Sequence, residues 1–161
     1  MQKITAEAVE RGFETIAELS PADTEKLMGA FQSEQNDTFD YLLSVGEDIL
    51  EEEERETLVL TGMVLWKIMS DHGPLPKPDA ETLDKQEGRQ FKLVEALNEG
   101  VPGLMSISAE KLLDNYPQEH LLALIEDLVL YPDEEDPDDL QDENRPWLFV
   151  FLKTLIDCWD A

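Results

Sequence analysis

A chain of 161 residues with 38 acidic and 12 basic side chains carries a formal charge of −26 at pH 7. This excess argues against binding to nucleic acids or to anionic membranes, because both are polyanions. The apolar residues, 42% of the chain, are enough to fill the core of one domain. The only cysteine is Cys158, and the N-terminal segment has no apolar run typical of a secretory signal. We therefore expect a single domain spanning residues 1–161 in the cytoplasm.

The first fifty residues contain three stretches with apolar side chains at helical spacing. They predict helices over about residues 4–19, 21–34 and 36–50. Ser20 suits the N-cap of the second helix, and Pro21 suits its first turn. In the third helix Gly46 lies on the apolar stripe, where it would either admit a close neighbour or bend the helix.

The segment from Thr57 to Met69 has no charged residue before Lys67, and its apolar side chains cover most of a helix circumference. A helix that is apolar all round must be enclosed by other helices or by lipid. Spanning a bilayer takes roughly 20 apolar residues, and this run is shorter. The pattern therefore predicts a buried central helix near 53–70, with the acidic run that begins at Glu51 in its first turn.

Three prolines within residues 73–79 predict a linker without helix. Beyond the linker, apolar spacing predicts helices over about 80–98, from about 108, over about 117–130, and from Pro146 onward. An acidic loop is predicted at 132–145, before the last helix. Since no segment alternates apolar and polar residues, the chain is predicted to be all-α, a single-domain bundle of about seven or eight helices.

Two pairs of carboxylates have a spacing that suits metal ligands on helices. Glu51 and Glu54 are three residues apart on a predicted helix, and Glu81 and Asp84 repeat this spacing after the linker. Such pairs on two packed helices can hold Mg²⁺ against a phosphate group. The four acids resemble the ExxE and ExxD motifs of the all-α nucleotide pyrophosphatases. The resemblance implies a Mg²⁺-dependent phosphohydrolase with these four residues as metal ligands.

Other signs of catalysis are absent from the sequence: it has no glycine-rich phosphate loop, no nucleophile elbow and no zinc-spaced histidine pair. The favoured prediction is therefore a non-enzymatic interaction or regulatory module without a cofactor, which binds a protein with a basic surface. The phosphohydrolase is the alternative. The predicted partner-binding residues are in the acidic loop: Asp133, Glu134, Glu135, Asp136, Asp138 and Asp139.

A second alternative is a structural subunit that forms homo-oligomers through its last helix. That helix has more aromatic residues than one buried face needs: Trp147, Phe149, Phe151 and Trp159.

Three basic residues, Lys85, Arg89 and Lys92, share one face of the predicted helix after the linker. Ion pairing with neighbouring acids is the favoured explanation for them. A small anion or carboxylate site is the other.

Overall fold

In a computed structural model of the protein, which describes residues 1–100, 105–131 and 137–160, all regular structure is helical. A π-helical turn, Glu126–Leu130, follows the eighth α-helix, and a 3₁₀ turn, Asp142–Asn144, precedes the ninth. The all-α prediction is therefore confirmed for these ranges. Their α-helices are α1 (Ala6–Ala17), α2 (Pro21–Glu34), α3 (Asn36–Ser44), α4 (Glu52–Ser70), α5 (Ala80–Gly88), α6 (Phe91–Asn98), α7 (Ile107–Leu112), α8 (Glu119–Ile125) and α9 (Arg145–Trp159).

Four helices begin at a side chain that caps them. Thr5 accepts a hydrogen bond from the third residue after it at the start of α1 (3.2 Å), and Ser20 does the same for α2 (3.1 Å). Asp79 caps α5 at 2.8 Å, and Ser106 caps α7 at 3.1 Å. Each cap satisfies an amide that the helix itself leaves without a partner, so local sequence sets these boundaries.

The predicted central helix is α4, which packs against α1, α2, α3 and α9. Most of its apolar side chains are buried, whereas Val59 is partly exposed and Leu60 is 45% exposed. Gly62 lies at the closest approach of its neighbours, because a Cβ atom there would be 2.6 Å from Leu42 Cδ1 and 3.4 Å from Leu155 Cδ1. The absence of a side chain at this position lets α3 and α9 pack directly on α4.

The last helix, α9, packs on α4 and is buried along most of its length. Phe149, Phe151 and Trp159 are at most 2% exposed, and only Trp147 is partly exposed. The Trp159 indole nitrogen donates a hydrogen bond to Gln35 Oε1 (3.2 Å). The aromatic surplus that suggested an oligomer interface thus lies mainly inside this chain. Oligomerisation stays a prediction.

The helix predicted over 36–50 is shorter than expected, because α3 ends at Ser44. Gly46 has a φ of 64°, in the left-handed region that glycine adopts most readily. The Arg55 guanidinium then donates hydrogen bonds to the carbonyl oxygens of Leu42 and Val45. These bonds satisfy carbonyls at the end of α3, which the helix itself leaves without partners. Of the two roles considered for Gly46, the bend is present, and the helix ends just before it.

Two further predicted helices are interrupted. The helix expected over 80–98 breaks between α5 and α6, at Arg89 and Gln90. The helix expected over 117–130 changes to a π turn, in which the amide of Tyr131 donates to the carbonyl of Glu126 (3.0 Å). The Val129 carbonyl in this turn accepts a hydrogen bond from Arg145 at 3.2 Å. The widened turn thus occurs where Arg145, a residue outside this helix, bonds to one of its carbonyl oxygens.

The linker has no helix over residues 73–79, as predicted, and Gln35 Nε2 anchors it by donating to the Pro76 carbonyl (2.9 Å). In the described part of the chain, no helix has both the length and the hydropathy needed to cross a membrane.

Candidate binding pockets

The carboxylate of Glu54, a predicted metal ligand, is fully buried and is used inside the fold. Its Oε1 accepts hydrogen bonds from the Glu51 amide (2.8 Å) and from Asn144 Nδ2 (2.8 Å). Its Oε2 accepts one from the Gln141 amide (2.9 Å). Glu54 therefore joins the start of α4 to the segment before α9, a structural role that the sequence spacing did not indicate.

The other three predicted ligands are exposed. Glu51 is the N-cap residue of α4, and Glu81 pairs with Lys85 at 3.1 Å on α5, the helix that also carries Asp84. Within residues 1–100, 105–131 and 137–160, no three His, Cys, Asp or Glu side chains are grouped so that they could hold a metal ion. The Mg²⁺ site and its phosphohydrolase activity stay predictions.

Four predicted partner-binding residues of the acidic loop, Asp133 to Asp136, lie outside the described residues. Asp138 is described, and it accepts hydrogen bonds from Arg145 at 2.6 and 3.2 Å. Burial would raise the pKa of Asp138, but the bonds from Arg145 and from the Leu140 amide lower it instead. Asp139 is exposed. The fold thus uses Asp138, and partner binding by the rest of the loop stays a prediction.

A cavity of about 430 Å³ lies between α7, α8 and the π turn, and we call it the acidic pocket. Among the described residues that line it, four are carboxylates, two are tyrosines and none is basic. The lining residues are Met105, Glu110, Leu113, Asp114, Asn115, Tyr116, Glu119, Leu122, Ala123, Glu126 and Tyr131.

One of these carboxylates is neutralised within the described chain: Glu119, which pairs with Lys3 at 2.8 Å and has a lowered pKa because of that bond. The side chains of Glu110, Asp114 and Glu126 make no hydrogen bond or ion pair with any residue that the structure describes. The pKa of Glu126 is raised mainly by burial and to a smaller extent by the negative charge of the adjacent Asp127. The pocket therefore holds negative charge that no described residue pairs with.

Two irregular segments shape the acidic pocket. Asn115, between α7 and α8, has a φ of 58°, a left-handed conformation that asparagine tolerates better than most residues. The π turn at the end of α8 begins at Glu126. Because both irregular segments contribute to the lining, the pocket depends on backbone features that helical periodicity does not predict.

A second cavity, of about 230 Å³, lies between α5, α6, α7 and α9, and we call it the basic pocket. Its wall includes three cationic side chains and one carboxylate. The lining residues are Gln86, Arg89, Gln90, Lys92, Leu93, Leu112, Lys153 and Asp157.

A network of hydrogen bonds centred on Asp157 forms the inner wall of the basic pocket. Asp157 Oδ2 accepts from Lys153 Nζ (2.8 Å), Gln90 Nε2 (2.8 Å) and Gln86 Nε2 (3.2 Å). Its Oδ1 accepts from the Tyr116 hydroxyl at 2.5 Å. Lys153 Nζ also lies 5.0 Å from the centre of the Tyr116 ring, a cation–π distance. Tyr116, which lines the acidic pocket, therefore contacts two residues that line the basic pocket.

The three basic residues noted in the sequence have different surroundings. Lys85 pairs with Glu81 at 3.1 Å, as the ion-pairing explanation predicted. Arg89 follows α5, where it donates to Gln86 Oε1 (3.2 Å), and Lys92 is on α6. In the described part of the chain, neither of these two makes an ion pair.

The Asp157 network was not predicted from the sequence. Its one sequence signal is that Lys153 and Asp157 are four residues apart on α9, the spacing of a helical ion pair. Nothing in the pattern indicates that Gln90 and Tyr116 join them, because those contacts span 67 and 41 residues.

The chain matches no family model, no curated protein and no solved structure.

Proposed function

We propose that this protein is a non-enzymatic interaction module that binds a protein with a basic surface, and that the acidic pocket receives a lysine or arginine side chain of that partner. The observation that carries this proposal is the lining of the pocket, with four carboxylates and no basic residue among its described members.

The chemistry of the pocket suits an organic cation. Glu110, Asp114 and Glu126 provide carboxylate oxygens that no described residue occupies. Tyr116 and Tyr131 provide aromatic rings, which attract cations through their faces. The apolar members of the lining can contact the hydrocarbon stem of a lysine or arginine, which such side chains bury while their charged ends find partners.

The charge of the whole chain supports the same partner. A net charge of −26 attracts basic proteins at long range and raises the rate of encounter. That long-range attraction is not selective, because any basic surface experiences it. The pocket adds a local site at which a particular side chain would be recognised.

A matched pair of charge variants tests the proposal. The pocket variant combines Glu110→Gln, Asp114→Asn and Glu126→Gln. The control combines Glu52→Gln, Glu53→Gln and Glu56→Gln, three exposed acids at the start of α4. Both variants change the net charge by the same amount. Affinity for a synthetic peptide of alternating arginine and alanine is measured for each by calorimetry at low salt.

We expect the pocket variant to bind the peptide about tenfold more weakly than the wild type, a loss of about 1.4 kcal/mol. The control should lose much less, and about 0.5 M salt should weaken binding by all three proteins because it screens exposed charges. Equal losses for the two variants would mean that only net charge matters, and the pocket would have no special role. If the pocket variant alone loses affinity, proteins that the wild type retains from a lysate and the pocket variant does not are then identified.

A further inference from the structure

We propose that the basic pocket is a binding site for a small anion, whose carboxylate or phosphate oxygens are held by Arg89, Lys92 and Lys153. This inference is independent of the function proposed for the acidic pocket.

The local charge of the pocket is opposite to that of the chain. Three of the twelve basic residues line this one cavity, and Asp157 is the only acid in its described lining. In the chain as a whole, by contrast, 38 acidic side chains outnumber 12 basic ones. A small anion that binds this protein therefore has a strong electrostatic preference for this site.

Arg89 and Lys92 are available to a ligand. Both are exposed, and neither forms an ion pair with any residue that the structure describes. The guanidinium of Arg89 has five N–H donors, of which one contacts Gln86 Oε1 at 3.2 Å. A guanidinium can hold two oxygens of a carboxylate or phosphate at once, so Arg89 is the residue that gives the site its geometric selectivity.

Lys153 contributes a charge that is fixed in place. Its ammonium group is held between Asp157 Oδ2 (2.8 Å) and Gln90 Oε1 (3.1 Å), and its side chain is 12% exposed. Because the ammonium is already ordered, binding of an anion beside it costs little additional side-chain entropy. Lys153 thus stabilises the ligand without having to reorganise.

The size of the cavity limits what the ligand can be. Pockets for drug-sized molecules have volumes of roughly 300–1,000 Å³, and the basic pocket has about 230 Å³. It can hold a small anion, including one with a short hydrocarbon chain. Leu93 and Leu112 supply an apolar part of the wall for that chain. The fitting ligands are a small dicarboxylate or a phosphate.

The test is a titration of the full chain with glutarate and, separately, with inorganic phosphate, followed by amide NMR shifts and calorimetry at low salt. We expect saturable binding of at least one anion with a Kd in the millimolar range, near −4 kcal/mol, and shifts concentrated at Gln86, Gln90 and Lys92. Glutaramide, which has the same shape but no charge, should not bind. Binding of glutarate alone would identify a carboxylate site, and binding of phosphate alone a phosphate site.

Two double variants with equal charge locate the site. Arg89→Gln with Lys92→Gln should weaken binding at least about tenfold, and both positions are exposed, so the fold should persist. The control combines Lys85→Gln with Lys26→Gln, which are also exposed, and should change the affinity less than about twofold.

Three results would overturn the proposal: no saturable binding of either anion, equal binding of glutaramide, or equal weakening by the two double variants.

Discussion

Tyr116 links the acidic and basic pockets, because it lines the first and its hydroxyl donates to Asp157, which lines the second. In the basic pocket, Asp157 is surrounded by the four donor groups of Tyr116, Lys153, Gln90 and Gln86. In the acidic pocket, three carboxylates have no partner among the described residues. The carboxylate of Asp157 is therefore part of the fold, whereas the acids of the other pocket remain available to a ligand.

This difference distinguishes carboxylates that stabilise the folded protein from carboxylates that do not stabilise it and could instead bind a ligand. A mostly buried carboxylate with several donors is costly to remove, because its partners would remain buried without an acceptor. A group of acids with no described counter-charge repels itself and lowers stability. The two pockets should therefore respond in opposite directions to the neutralisation of one carboxylate.

The largest expected effect is from Asp157→Asn. The amide cannot accept from Lys153 and both glutamines as the carboxylate does, and Lys153 loses its counter-charge. We expect a loss of about 3 kcal/mol in the free energy of unfolding, at the low end for a buried pair, measured by urea denaturation. The control is Asp71→Asn, which removes an exposed pair with Lys67 and should cost about 0.5 kcal/mol or less. Equal losses would mean that the Asp157 network stabilises the fold no more than an exposed ion pair does.

A smaller loss is expected from Tyr116→Phe, which keeps the aromatic ring and removes only the hydroxyl. Asp157 would retain its other three donors, so the cost should be about 1.5 kcal/mol, typical of a hydrogen bond to a charged group. Tyr131→Phe is the matched change, because the Tyr131 hydroxyl makes no hydrogen bond within the described residues and lines the acidic pocket alone. Thermal denaturation of the two variants gives the comparison, and a larger loss for Tyr131→Phe would contradict it.

The smallest effect, and one of opposite sign, is expected from Glu126→Gln. Burial raises the pKa of Glu126 in the folded state, so its contribution to stability is present below the unfolded-state pKa and is lost as the pH rises through the folded-state pKa. At neutral pH the neutral amide should therefore stabilise the protein, by about 0.5 kcal/mol. This gain should disappear below about pH 4, where the glutamate is protonated in both states. Urea denaturation at the two pH values measures it, and a destabilised variant at pH 7 would show that Glu126 has a partner.

Several elements of the fold could be predicted because their causes are local. Ser20 and Asp79 cap their helices through bonds to amides three residues away, which need no tertiary contact. The prolines in 73–79 exclude helix because of their ring geometry. The apolar circumference of α4 required enclosure, and α4 is enclosed. Two of the three helices that differ from prediction do so where a distant residue bonds to the backbone. Arg55 caps α3 early, and Arg145 contacts a carbonyl in the π turn.

The roles of the candidate site residues were harder to predict, because the sequence does not show whether a carboxylate forms bonds inside the fold or is exposed. The sequence did not indicate that Glu54, a predicted metal ligand, accepts hydrogen bonds from Asn144 and the Gln141 amide. It also did not indicate that Asp138, a predicted partner-binding residue, pairs with Arg145. Both contacts depend on where the segment before α9 meets the rest of the protein.

The sequence by itself determined the helical class, the caps, the linker and the excess of negative charge, since these follow from the periodicity, backbone chemistry and composition of short segments. Only the tertiary structure decided which acids would be matched by donors and which would line a cavity. The reason is physical: the energy of a charged group depends on its neighbours in space, and the decisive neighbours of Glu54, Glu126 and Asp157 include groups that only folding brings to them.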